Sequence, residues 1–343
     1  MNRPDIIAAI ASQRWMITAE GMQRILAQLP SLDAGTFIGD LFAARPEAAA
    51  ARSRPARAGS VAIVSIRGPI VRYDSWFTML FGGTSVEWLG QQIREAAADE
   101  AVGSILLDVD SPGGTISGLP ELAAVIRAAR EVKPISAITN DMNCSAAYWL
   151  AAQADEISST VEGLTGSVGV YTEHWDLSGM LALDGIAHEY IQAGRFKTEG
   201  NQFEPLTEEA RAHFQGIVDD GYGLFLSDVA KGRGISAAQV RSDYGEGRYF
   251  AAKEAKAKGL IDRIGSLSDA VNRAAAGKVA RRAMVPAADL ERTVEADPAP
   301  LEESAQPDLA AFEFERERRA RLGKRPVTSA KDSAGALVAP DPK

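Results

Sequence analysis

A serine within a run of small residues is the first group in this sequence with catalytic potential. Ser145 lies in CSAAYWLAA, which follows the apolar stretch ISAIT and the residues NDMN. This crowding of small residues predicts the start of a helix, where a hydroxyl can project into a cleft. The N–H of Ala146 can point at the same position, and such donors beside a nucleophile suit acyl transfer. Serine is also a common helix N-cap, and the local sequence leaves that alternative open.

A glycine pair supplies a second possible donor. The motif DVDSPGG, residues 108–114, directly follows the strand-like GSILLDV and ends at Gly114. Glycines at the end of a parallel strand leave backbone N–H groups unobstructed, and a following helix N-terminus adds positive potential. The motif therefore suits an anion or an oxyanion. When the motif is taken alone, an ordinary strand-to-helix turn explains it better.

A nucleophilic serine needs a base, and the local sequence does not select one. The three histidines, His174, His188 and His213, lie in no recognisable triad pattern. Lys197, in QAGRFKTEG, follows the strand-like HEYIQA and is flanked by two glycines, which suggests a turn that tucks its side chain inward. A lysine acts as a base when its pKa falls from about 10.4 towards roughly 7 to 8. Most lysines are surface charges, so local chemistry leaves Lys197 undistinguished.

An ordered set of motifs resembles the S49 peptidases, the family of signal-peptide peptidase A and of phage capsid-maturation proteases. The motifs are, in order, DVDSPGG, CSAAYWLAA, LTGSVGV and GRFKTEGNQFEPLT, and GRYFAAKEAKAKGLIDRIG is similar to the closing motif of the family. The resemblance covers about residues 61–274. It implies an α/β, ClpP/crotonase-like fold with a parallel sheet and flanking helices.

The same resemblance implies roles for individual residues. Ser145 attacks the scissile carbonyl, and Lys197 takes its proton and later protonates the leaving amine. The backbone N–H groups of Gly114 and Ala146 hold the oxyanion. Ser167, in LTGSVGV, either orients the lysine amine or serves only the local turn. A Ser/Lys mechanism needs no metal and no organic cofactor, and the sequence shows no metal-ligand cluster.

One departure from the family pattern concerns the residues after the nucleophile. Many family members have Gly-Gly there, whereas this chain has Ala146 and Ala147, which still meet the requirement for small residues. The neighbouring Cys144 suggests a thiol nucleophile. It precedes the matched serine, however, and small thiols commonly serve packing, so we exclude it.

Alternating strands and helices must position these residues. Strands at VAIVSI, GSILLDV and ISAIT alternate with helices at SVEWLGQQIREAA and LPELAAVIRAAREV, which predicts βαβ units and a largely parallel sheet. A long amphipathic helix is expected from Thr207, and shorter helices over residues 236–244 and 250–258, the last ending at Gly259. The apolar stripe of the long helix is Phe214, Ile217, Val218, Tyr222, Phe225, Leu226 and Val229.

Composition divides the chain into four parts. Residues 1–40 are interpreted as a helical appendage of two short helices, and residues 41–60, rich in Ala, Arg and Pro, as a linker. Residues 61–276 form the peptidase-like domain. Residues 277–343 are of low complexity, which predicts a disordered tail.

Bulk properties limit the possible partners and location. A hydrophobic fraction of 46% in 343 residues supports a sizeable core, and a net charge of −9 argues against a nucleic-acid partner. The N-terminus has no signal-peptide core, no segment has 18 consecutive apolar residues, and a single cysteine fits a reducing compartment. These features predict a cytoplasmic protein without a membrane anchor. The resemblance to phage proteases implies, more narrowly, the cytoplasm of a bacterial host or the assembling proheads within it.

Three activities remain open at this level. The favoured one is a phage or prophage prohead protease that cleaves capsid or scaffold proteins, because the missing anchor, the GGTSVEWLG run and the tail are similar to that branch. The others are a housekeeping protease of the signal-peptide-peptidase type and a crotonase-like acyl-CoA enzyme, which leaves Ser145 and Lys197 without roles. A binding protein with a degenerate site is a further alternative. The resemblance also implies assembly as a homo-oligomer.

Overall fold

The computed structural model describes residues 15–17, 55–74 and 82–282. All of them lie in the first of the two units of the chain, Met1–Ala296. The helices expected over residues 1–40 lie outside the described residues, except that residues 15–17 form a strand instead. The tail expected from residue 277 is described only to residue 282. No helix in the described ranges is long and apolar enough to cross a membrane.

Strands and helices alternate along the chain. The strands are β1 Trp15–Ile17, β2 Ala56–Ala58, β3 Val61–Arg67, β4 Ile70–Val71, β5 Thr84–Ser85, β6 Ser104–Ser111, β7 Gly113–Thr115, β8 Ile135–Cys144, β9 Glu156–Ser159, β10 Leu164–Gly166, β11 Tyr249–Ala251 and β12 Arg263–Ile264. The helices are α1 Val86–Ala98, α2 Leu119–Val132, α3 Ala146–Ala151, α4 Ser178–Leu183, α5 Glu208–Arg233, α6 Ala237–Asp243, α7 Ala252–Ala257 and α8 Leu267–Ala275.

The main sheet is largely parallel and confirms the predicted α/β class. Its strand order is β11-β10-β8-β6-β3-β2, with β9 beside β8 and β12 beside β9. Strands β3, β6, β8 and β10 run parallel, and the antiparallel strands β2 and β11 form the two ends of this order. The strand β8 changes neighbours along its length: residues 136–139 pair with β9, and residues 142–144 pair with β10.

A smaller sheet lies where β6 ends. Its order is β1-β7-β4-β5, and β7 begins only two residues after the last residue of β6. The DSPGG motif thus carries the chain from the main sheet into the smaller one.

Helices on both faces of the main sheet explain why its central strand is buried throughout. Seven of the eight residues of β6 are buried, as expected of a parallel strand covered on both sides. Leu89 and Ile93 of α1 and Ile126 of α2 belong to the main core. Ala270 of α8 packs on the other side, in the smaller cluster that contains Leu106.

The long helix begins where the sequence predicts. Thr207 is its N-cap, with Oγ1 accepting from the N–H of Ala210 at 3.2 Å, and Gly234 ends it with φ 71°. Phe225 is fully buried, whereas Ile217 is only half-buried. The helix expected over residues 250–258 is shorter, because residues 249–251 pair as β11 with β10.

Candidate active site

Ser145 occupies a strained corner between β8 and α3. Its N–H donates to the carbonyl of Gly166 at 2.8 Å, and its carbonyl accepts from the N–H of Trp149 at 2.9 Å. These bonds hold it at φ 56° and ψ −120°, a region that side-chain-bearing residues rarely adopt. Such backbone strain costs about 1–3 kcal/mol and clusters at functional sites.

The side chain of Ser145 does not cap the helix that follows. A capping serine accepts from an N–H two or three residues later, and Ser145 makes no such bond. The capping alternative left open by the sequence is therefore wrong. The residue is 1% exposed, and its hydroxyl forms no hydrogen bond with any other residue that the structure describes.

Buried aromatic side chains fix the short helix α3. The ring of Trp149 stacks on Phe225, with centroids 4.7 Å apart and planes 9° from parallel, and its Nε1 donates to Asp228 at 3.0 Å. The hydroxyl of Tyr148 donates to the carbonyl of Leu260 at 3.0 Å, and burial raises its pKa well above the ordinary value. These contacts fix the position of α3 and therefore of the corner at Ser145 that precedes it.

The glycine pair of β7 is required by backbone geometry. Gly113 has φ 109°, and its N–H donates to Ser111 Oγ at 3.2 Å. The same hydroxyl donates to the carbonyl of Gly68 at 2.6 Å, which ties the turn to the end of β3. A Cβ at Gly114 would overlap the carbonyl oxygen of Ile70 in β4. Ser111 is thus a positioning residue that the sequence analysis did not single out, although it lies within the recognised motif.

Strand pairing brings three of the predicted motifs to one edge of the main sheet. Asn143 lies opposite Ser111 of β6, and Cys144 lies opposite Gly166 of β10. Carboxyl ends of parallel strands form the usual site edge of α/β sheets. The DSPGG motif, the corner at Ser145 and the start of the segment after β10 are therefore neighbours.

Two further residues of this edge have unusual features. Ser167 has φ 56°, as Ser145 does, and its N–H donates to the carbonyl of Arg248 at 2.7 Å. Asn143 is completely buried, and both polar atoms of its amide lack a hydrogen-bond partner among the described residues. Sequence reasoning missed Asn143 because an asparagine before a helix is read as turn chemistry.

Lys197 does not join this group in the structure. It lies in a turn, as predicted, with its N–H donating to the carbonyl of Gly194 at 3.0 Å, but its side chain is exposed instead of tucked inward. The neighbouring Arg195 lies at the surface as well, where its guanidinium pairs with Glu209 of α5 at 2.6 Å. Within the described ranges, no hydrogen bond joins Lys197 to Ser145. The HEYIQA stretch before the turn forms no strand.

A cleft of about 690 Å³ lies between the segment after Ser167 and the segment after Lys197. Tyr171 Oη and His174 Nε2 are buried without a partner in the described part of the chain. Burial, reinforced by the negative charge of Glu173, raises the pKa of Tyr171 to about 12, so it is a neutral hydrogen-bond donor. The apolar residues of the lining are Val170, Leu206, Phe214, Ile217 and Val218. This mixture suits the side chains of a bound peptide.

The alternative nucleophile and bases receive no support. Cys144 is buried within β8, with Sγ 3.8 Å from the carbonyl oxygen of Leu164. His188 and His213 are exposed, and His174 lines the cleft without a hydrogen bond to the serine hydroxyl. Residues 15–17, 55–74 and 82–282 contain no group of three or more His, Cys, Asp or Glu placed to hold a metal ion.

Comparison with known proteins confirms the resemblance that the sequence motifs indicate. Residues 127–281 match the model of Peptidase family S49. The chain is 32% identical over 236 residues to the head-tail preconnector protein GP5 of Enterobacteria phage P21, covering 68% of this chain and 47% of that protein. It is 31% identical over 211 residues to the capsid assembly protease C of Escherichia phage lambda, covering 62% and 48%. The chain thus spans about half the length of these relatives.

A solved structure of a ClpP1 mutant from Listeria monocytogenes is also similar. It shares 13% sequence identity and has a TM-score of 0.37, covering 61% of this chain and 94% of that one.

Proposed function

We propose that this chain, which matches Peptidase family S49 over residues 127–281, is a serine endopeptidase with Ser145 as its nucleophile. The observation that carries the proposal is the strained corner, where a buried serine has a hydroxyl without a partner among the described residues. A structural serine gains nothing from φ 56°, because glycine adopts this backbone without strain.

The reaction follows from the groups around the corner. Ser145 Oγ attacks the scissile carbonyl, and the resulting oxyanion accepts hydrogen bonds from the N–H groups of Gly114 and Ala146. Ala146 is the first residue of α3, and its N–H therefore has no partner within the helix. Collapse of the tetrahedral intermediate expels the amine and leaves an acyl-enzyme, which water then hydrolyses.

Lys197 is the proposed base. Because its side chain is exposed, the proposal must also explain how it reaches Ser145. A base must come within about 2.6–3.2 Å of the proton it removes, whereas Lys197 lies exposed at the surface. The segment that carries it also exposes large apolar residues, with Leu183 at 89% and Ile191 at 99%. Exposed apolar surface of this kind marks an interface between proteins. We therefore propose a homo-oligomer in which the lysine turn of one copy completes the serine site of another.

The proposed substrates are capsid or scaffold proteins in phage head assembly within the bacterial cytoplasm. This part rests on the names of two relatives, a capsid assembly protease and a head-tail preconnector protein. A cleft that combines apolar side chains with unpaired polar groups suits a peptide segment. The acyl-CoA alternative leaves Ser145 and Lys197 without roles.

The test is cleavage of the capsid and scaffold proteins encoded beside this chain, co-expressed with it and followed by electrophoresis and mass spectrometry. Ser145→Ala and Lys197→Ala should each lower cleavage at least about a thousandfold. Ser136→Ala is the matched control for the serine. Ser136 lies within β8 and, like Ser145, is buried and has a hydroxyl without a partner among the described residues. Lys253→Ala, at an exposed position of α7, is the control for the lysine. Undiminished cleavage by the Ser145→Ala chain would refute the assignment.

A further inference from the structure

The strand β1, from the N-terminal part of the chain, pairs with the strand of the glycine motif. It runs antiparallel to β7, with Trp15 opposite Thr115, Met16 opposite Gly114 and Ile17 opposite Gly113. The other side of β7 is taken by β4. The strand β7 therefore lies between two neighbours, and β1 covers an edge that would otherwise be open.

This edge belongs to the proposed catalytic centre. The strand β7 carries Gly114, whose N–H is a proposed oxyanion donor, and the helix α3 that begins after Ser145 packs against the same strand. A peptide whose carbonyl meets both the nucleophile and this donor must run alongside β7. An extended peptide binds a strand edge through main-chain hydrogen bonds, so an added antiparallel strand is the geometry expected of such a peptide.

We propose that residues 15–17 are an intramolecular competitor of the substrate, occupying the edge of β7 on which an extended peptide must dock. The proposal rests on the function proposed for Ser145. Substrate binding then requires that β1 first leave the edge. Residues 15–17 belong to the same chain as the docking edge, with residues 18–54 between β1 and the next described residue, 55.

The covalent connection makes a short strand an effective competitor. A segment of the same chain acts at a much higher effective concentration than a separate peptide, although three residues alone bind weakly. A competitor that leaves the edge free about a tenth of the time weakens the apparent affinity for a peptide about tenfold. Main-chain pairing does not depend on a particular side-chain sequence, so the segment competes with substrates of different sequence.

The test measures peptide binding in a Ser145→Ala background, where cleavage does not interfere. The probe is a fluorescein-labelled peptide of residues 12–21, SQRWMITAEG, followed by fluorescence anisotropy. The full chain is compared with a Met16→Pro/Ile17→Pro double variant, in which two consecutive backbone donors are lost. Successive N–H groups of a strand point to opposite sides, so one of these two faces β7. A Met16→Leu/Ile17→Val chain, which keeps both donors, is the matched control.

We expect the double proline variant to bind the peptide about tenfold more tightly than the parent, and the control to bind as the parent does. A peptide with proline at the same two positions should bind none of the chains. Equal affinity of the parent and the proline variant, or no binding to either, would overturn the proposal. Hydrogen exchange of the Ser145→Ala chain gives a second readout, because excess peptide should release the protection of residues 15–17 and leave that of residues 113–115. Retained cleavage by the Ser145→Ala chain would instead overturn the proposed nucleophile, so the two failures are distinguishable.

Discussion

Replacing Ser145 by glycine should separate stability from activity at the proposed nucleophile. The position has φ 56° and ψ −120°, and its hydroxyl has no hydrogen-bond partner among the described residues. Removal of the hydroxyl therefore breaks no hydrogen bond within that part of the chain. Both Ser145→Ala and Ser145→Gly should abolish cleavage, but only glycine adopts this backbone without strain.

The expected difference between the two variants follows from three contributions. Relief of backbone strain favours glycine by about 1–3 kcal/mol. Two effects lower the stability of the glycine variant relative to the alanine variant. The greater freedom of glycine in the unfolded chain contributes about 0.4–1 kcal/mol, and the loss of one buried carbon contributes about 0.8 kcal/mol. With a strain of about 2 kcal/mol, Ser145→Gly should be about 0.5 kcal/mol more stable than Ser145→Ala.

The matched control is Ala147, which is fully buried two residues later in α3. Its helical backbone has no strain to relieve, so Ala147→Gly should lower the free energy of unfolding by about 1.3–1.8 kcal/mol. Urea unfolding followed by circular dichroism measures all three variants and the parent. If Ser145→Gly were less stable than Ser145→Ala by as much as Ala147→Gly is less stable than the parent, the inferred strain would be absent.

Two other predictions concern the assembly and the packing. An equal mixture of Ser145→Ala and Lys197→Ala chains should recover roughly a quarter of the parent's cleavage activity if sites form randomly between copies, and no recovery would show that the lysine acts within one copy. Asp262→Ala should lower the free energy of unfolding by about 3–5 kcal/mol, because Arg233, whose side chain is 3% exposed, loses its carboxylate at 2.9 Å. Burial raises the pKa of Asp262, but the hydrogen bond and charge of Arg233 outweigh it and lower the pKa below 3.8. The stability from this pair is therefore present above pH 3.8 and is lost as the pH falls below it, and urea titrations should show a flatter acid dependence in the Asp262→Ala chain.

The parts of the fold with strong local patterns could be predicted from the sequence. An apolar run, such as that of β6, residues 104–111, is the local signal of a strand buried on both faces. The start of the helix after Thr207 is also encoded locally, because an N-cap depends on adjacent residues. The strand β1 could not be predicted, because its partner β7 lies about a hundred residues later and its own residues fit a helix equally well. The strand β11 could not be predicted either, because its partner β10 is also distant in the sequence and most of its residues fall within the helix expected over residues 250–258.

The candidate site divides in the same way. The types and order of residues identified Ser145 and Gly114, and the structure places their segments at one edge of the sheet. The backbone strain at the serine depends on its bond to Gly166, a residue of another strand, and is invisible in the local sequence. For Lys197, the motif match predicts the role of general base, but within one copy of the chain its exposed side chain makes no hydrogen bond to Ser145 among the described residues. An exposed side chain meets its partner only through a tertiary or quaternary approach that sequence periodicity does not encode.

The change of partner along β8 divides this strand into two parts that belong to different regions of the protein. The first half of this strand is joined to β9 and the core, whereas its last three residues are joined to β10, which leads to Ser167 and the cleft. The connection between β9 and β10, residues 160–163, is the point where these regions separate. A change of length there would move β10 and the corner at Ser145 together, because the N–H of Ser145 donates to the carbonyl of Gly166 at the end of β10. The distance between Ser145 and Ser167 is therefore fixed by the pairing of β8 with β10, whatever the length of this connection.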